Sequence, residues 1–116
     1  MNQDMQTATR AYAASAAHRD PRAQEADAFR RTVGALRAAR EAGDVQRARA
    51  LADNFRLWAL VEDLMRDPAN ALPVDLRASI LSVGLAVRRE MAQEAPDFDF
   101  LIAVNENMAA GLSAAA

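Results

Sequence analysis

Between positions 48 and 65, Ala48, Leu51, Phe55, Trp58, Val61 and Met65 recur at three- and four-residue spacing, with Leu57, Leu60 and Leu64 widening the apolar arc. That period fits one face of an α-helix and no half-buried strand. It predicts a helix from Asp44, read as its cap, to about Arg66, with its second half at the centre of the core. Composition agrees: alanine fills 29 of the 116 positions, whereas Val, Ile and Thr together fill 12. Helix formers therefore outweigh strand formers, and the expectation is an all-α, single-domain helical bundle over residues 1–116.

The flanking segments repeat the pattern. Asp20 before Pro21 reads as a cap with proline at the first helical position, and Gly43 closes the helix this opens, about Pro21 to Ala42, with the stripe Ala26, Phe29, Val33 and Leu36. No continuous helix passes through Pro68 or Pro73, so Asp67 to Pro73 is a turn that aims the next helix. That helix, about Val74 to Ala95, carries Leu76, Ile80, Val83, Val87 and Met91, and Pro96 stops it. Asp97 caps a last helix from about Phe98, with fraying expected over residues 113–116. Met5, Ala8, Tyr12 and Ala16 mark a first helix to about Ala17, whose small side chains bury little, so residues 1–18 are expected to be weakly anchored. About five helices result: three long ones, which form the core, and weaker ones at both termini. The helices over 21–42 and 44–66 are expected to pair antiparallel.

Several function classes lose support at once. The 14 basic residues, all arginine, stand against 16 acidic ones, so no global positive field favours RNA or anionic lipid. With no Cys and a single His, His18, neither a thiolate site, a His-based metal site nor a Ser-His-Asp triad can be built. No enzyme chemistry and no cofactor set emerges. The N-terminus lacks a basic segment followed by an apolar one, and no apolar run spans a bilayer; a cytoplasmic protein without membrane insertion is expected.

Binding features remain. Ser79, Ser82 and Ala86 form a strip of small residues at helical spacing, and Gly34 and Gly84 interrupt helices; close helix packing explains the glycines, and a groove for a partner helix is the functional alternative. Trp58 reads as a core anchor or a ligand platform. Glu62, Asp63 and Asp67 crowd one helix end, where Glu62 paired with Arg66, and Asp67 bonded to its own turn, account for the charge. Arg30, Arg31, Arg37 and Arg40 share one helix and form a local basic patch.

A sequence resemblance sharpens this reading. Leu57-Trp58, Val61-Glu62-Asp63-Leu64, Asn70-Ala71-Leu72-Pro73, Leu76-Arg77 and Ile80-Leu81-Ser82-Val83-Gly84, followed by the tail Phe98 to Asn105 and Ala110-Gly111-Leu112, together resemble the FlaF family of flagellar-biosynthesis regulators. Where that family is expected to carry Trp after Gly84-Leu85, this chain has Ala86. The resemblance implies a regulator of flagellin production that recognises flagellin, through a terminal helical segment, and acts alongside the regulator FlbT. It implies no catalytic residue. Its motif falls on Trp58, Glu62, Asp63, Asn70, Leu72, Pro73, Arg77 and Gly84. Of these, Trp58, Glu62, Asp63, Asn70 and Arg77, together with the Ser79, Ser82 and Ala86 strip, are the candidate partner-binding residues. The competing reading is direct action on flagellin mRNA, or action through FlbT.

Overall fold

The computed structural model describes residues 21–115. The expected first helix over 5–17, the Asp20 cap, His18 and Ala116 lie outside the described residues. Within them the chain forms four helices and no strand: α1 (Pro21–Ala39), α2 (Asp44–Arg66), α3 (Val74–Met91) and α4 (Phe98–Ala115). The all-α, bundle-like reading therefore holds, with four helices described where about five are expected.

The ends of the helices differ from expectation for local reasons. Helix α1 stops at Ala39 rather than Ala42, because the Ala42 amide bonds back to the Ala39 carbonyl at 2.9 Å in a tight turn. Gly43 is extended and its carbonyl takes the Arg47 amide at 3.1 Å, so Gly43, not Asp44, is the cap of α2. Asp44 occupies the first turn, where a carboxylate favours the helix dipole without a side-chain bond. Helix α3 ends at Met91, short of Ala95. The Glu90 carboxylate accepts the Asp97 amide at 2.8 Å and draws the chain into the link to α4. Asp97 caps α4 as expected, Oδ1 accepting the Phe100 amide at 3.2 Å. Helix α4 continues through residues 113–115, past the point where fraying is expected.

The core is arranged differently from the simplest pairing of neighbours. The most extensive interhelical contact is between α1 and α4, whereas α3 packs on α2 alone among the larger contacts. Helix α4, expected as a weaker terminal element, thus forms a main wall of the core, burying Phe98, Leu101, Ile102 and Ala109. The α1–α4 pair is antiparallel. Arg30 meets Ser113, Arg37 meets Glu106, and Arg40 meets Asp99 at 2.9 Å, a ladder that runs up one helix as it descends the other.

Helix α2 is also rolled relative to its predicted stripe. Its buried residues are Ala50, Asn54, Trp58, Val61 and Met65, while Ala48 and Phe55 are exposed. Asn54 is fully buried and Phe55 is 50% exposed, an inversion that apolar periodicity cannot detect, since it assigns the asparagine to the surface. On α1 the expected stripe is buried throughout, and Phe29 meets Trp58 edge-on at 5.7 Å between ring centroids.

Candidate functional site

The turn from Asp67 to Pro73 sets the direction of α3, and three polar side chains hold it. Asp67 Oδ1 accepts the Ala69 amide at 2.9 Å, as the sequence predicts. Asn70 works in both directions: Nδ2 donates to the Leu64 carbonyl at 2.7 Å and Oδ1 accepts the Leu72 amide at 2.9 Å. Arg77 reaches back from α3, Nε donating to the Leu72 carbonyl at 3.1 Å and the guanidinium to the Asp67 carbonyl at 3.3 Å. Asn70 and Arg77 therefore fix backbone at the α2–α3 junction.

Trp58 is buried, and its Nε1–H donates to Asn105 Oδ1 at 2.9 Å. Asn105 Nδ2 donates to Asn54 Oδ1 at 2.8 Å, and Asn54 Nδ2 to Met91 Sδ at 3.1 Å. This chain links α2, α4 and α3, and among the described residues no buried side-chain polar atom lacks a partner. Of the two readings of Trp58, the geometry matches the core anchor. Asn54 and Asn105 are absent from the sequence-based candidates. Their one signal is spacing, since Asn54 lies one turn before Trp58, and Asn105 four residues from both Leu101 and Ala109.

The remaining candidates lie on the α2–α3 surface and do not converge on one point. Glu62 pairs with Arg66 at 3.1 Å, as predicted, and also with Arg88 across the helix junction. Asp63, Ser79 and Ser82 are exposed, and Ala86 is half-buried. The Ser79 hydroxyl donates to its own helix, at the Asp75 carbonyl. Gly84 lies over the Trp58 ring, where an added Cβ would meet Cε3 at 3.4 Å, an ordinary van der Waals contact, so the ring leaves room for a methyl group and little beyond it. Among the described residues nothing lies within 4 Å of the corresponding position at Gly34. The hollow beside Gly84 holds only about 40 Å³, enough for water but not for an organic ligand.

A wider opening lies at the other end of α3. Leu72, Pro73, Leu76 and Ile80 face Met108 and Leu112 of α4 across a groove of about 360 Å³, with Arg22 of α1 at its edge. It adjoins a second apolar hollow that shares Leu72, Ile80, Met108 and Leu112 and extends to Leu57, Leu60 and Leu64. Leu60 is 57% and Leu76 46% exposed. All four described helices, with Leu72 and Pro73 of the turn, thus line two adjoining apolar hollows, the feature expected of a seat for an amphipathic helix. Sequence periodicity places these leucines in the core stripes, because it cannot show which stripe residues lack a covering neighbour.

The charged surface is largely self-neutralised. Of the arginines grouped on α1, Arg30 pairs with Asp27, Arg37 with Glu106 and Arg40 with Asp99. No group of three His, Cys, Asp or Glu side chains suited to a metal ion occurs among the described residues. None of the described helices is long and apolar enough to cross a membrane.

The family model described as flagellar protein FlaF matches residues 8–112 of the chain. No curated relative and no solved structure matches the chain.

Proposed function

The chain belongs to the FlaF family of flagellar proteins, and on that premise we propose that it is a non-enzymatic, cytoplasmic regulator of flagellin production. It binds unassembled flagellin as a chaperone-like module and assists its synthesis or export, working alongside FlbT. Flagellin carries amphipathic terminal helices that must stay unpolymerised before export. The observation that carries the reading is the groove formed by Leu72, Leu76, Ile80, Met108 and Leu112, which offers apolar contacts to such a helix and no reactive group. Helix-in-groove recognition needs apolar anchors at helical spacing, and a terminal flagellin helix supplies them.

Direct recognition of flagellin mRNA has weaker support, because phosphate neutralisation needs unpaired cations, and Arg30, Arg37 and Arg40 already face acidic partners. The test places charge in the groove, at Leu76, and in the adjoining hollow, at Leu60. Leu76→Asp and Leu60→Asp alter partly exposed side chains, so the fold is retained, checked by circular dichroism. Capture of flagellin monomer by each variant is expected to fall at least tenfold, and unchanged capture by both would refute the reading.

A further inference from the structure

We propose that the side of the α2–α3 hairpin carrying Phe55 and Leu85 is a second docking surface, and that it takes a helical segment of another protein whose apolar anchor is flanked by carboxylates. The surface does not depend on the flagellin reading: its hollow shares only Val61 and Ile80 with the apolar hollows that face α4.

Phe55 and Leu85 are large apolar side chains left half exposed. Arg88 joins them into one patch. Its guanidinium lies over the Phe55 ring, 5.7 Å from the centroid, and with Leu85 it lines the hollow beside Gly84. Trp58, Val61 and Leu81 supply the apolar part of that hollow, and Glu62, Arg66 and Arg88 its charged part. A space of about 40 Å³ takes the tip of one aliphatic side chain. The occupant is therefore a macromolecular surface that lays an anchor in it, and the trough between two packed helices suits a third helix.

The charges select the kind of helix. Glu62 accepts from Arg66 through Oε1 at 3.1 Å and from Arg88 through Oε2, so two guanidinium groups share one carboxylate. Both arginines are exposed, and each fork has more N–H donors than Glu62 can engage. A carboxylate carried by the partner balances the surplus charge and meets those donors. Arg56, beside Phe55 in sequence, is already matched by Asp53. A second copy of this chain brings more arginine to the same place, where like charges repel. Nucleic acid supplies the negative charge but no aliphatic anchor for the hollow.

The test uses the full chain and two synthetic helices of about 18 residues, each with one leucine stripe, flanked by glutamates in one and by lysines in the other. The expected result is methyl shifts centred on Leu81 and Leu85, with Leu76 in the groove moving less. The glutamate helix is expected to bind about fivefold more tightly than the lysine helix, by a margin that shrinks as salt rises. Arg66→Gln combined with Arg88→Gln, checked for fold by circular dichroism, should remove that preference, and Leu85→Ser should weaken both helices. Equal affinity for the two helices, no binding of either, or shifts centred on Leu76 overturns the proposal. A preference that survives the arginine variant does so too. Shifts at Leu85 that depend on protein concentration without any peptide assign the face to a second copy and overturn it. An RNA oligonucleotide that gives the same shifts at lower concentration than the glutamate helix assigns the face to nucleic acid, with the same consequence.

Discussion

The indole Nε1–H of Trp58 donates to Asn105 Oδ1 across 2.9 Å, joining the middle of α2 to the middle of α4 inside the core. Asn105 Nδ2 continues the chain to Asn54. Removing Asn105 therefore leaves two buried groups without partners, at about 1–3 kcal/mol each. Asn105→Ala is expected to lower unfolding stability by about 3 kcal/mol. Urea titration of Trp58 fluorescence reads this directly, and a midpoint within error of the parent would contradict the assigned network.

The surface ladder between α1 and α4 predicts the opposite magnitude. Arg37 and Glu106 are 61% and 44% exposed at their side chains, and exposed ion pairs contribute about 0.2–1 kcal/mol. Arg37→Ala should cost less than 1 kcal/mol in the same titration, roughly within that range. A loss as large as that of Asn105→Ala would mean that the ladder, not the buried amides, fixes the pairing of α1 with α4.

Gly34 and Gly84, both inside helices, differ in what an added side chain would meet. At Gly34 an added Cβ meets nothing within 4 Å among the described residues, so Gly34→Ala is expected to stabilise the protein by about 0.5–1 kcal/mol through helix propensity. Gly84 lies 3.4 Å, measured from a built Cβ, from the Trp58 ring. Gly84→Leu should destabilise by about 1–3 kcal/mol by overpacking that contact. Thermal unfolding of the two variants should therefore shift in opposite directions, and shifts of the same sign would count against close approach at Gly84.

Arg77 couples the turn to the groove. Arg77→Ala removes two bonds to the Leu72 and Asp67 carbonyls, each charge-assisted bond contributing about 1.5–3 kcal/mol at most, and less where solvent competes. We expect a loss of about 1–2 kcal/mol together with faster amide exchange over residues 67–76. Exchange unchanged in that segment would show that Asn70 and the prolines hold the turn without it.

Much of this fold is legible in the sequence, because the stripes of α1 and α3, the prolines at 68 and 73 and the cap at Asp97 are local signals. Gly43 as cap, the early ends of α1 and α3, and the roll of α2 are not. They depend on single hydrogen bonds or on Asn54 and Asn105, polar residues whose burial is favourable only once both amides meet. The pairing of α1 with α4 joins segments some 60 to 80 positions apart, and periodicity carries no information on which apolar faces meet. For the same reason the sequence nominates Trp58, Asn70 and Arg77 as candidate contacts, whereas the structure has them holding the core and turn beside the groove. The apolar opening at Leu60 and Leu76 becomes visible only when the faces left uncovered are known.

The central claim is that this groove receives a terminal helix of flagellin. Isothermal titration of the full chain with flagellin monomer, intact or lacking either terminus, at two salt concentrations, tests it most directly. Apolar recognition predicts saturable binding that is lost with one terminus and changes little with salt, since few exposed charges are neutralised. Binding that persists without either terminus, or that is absent for every form, would contradict the claim and move the direct contact to FlbT or to RNA.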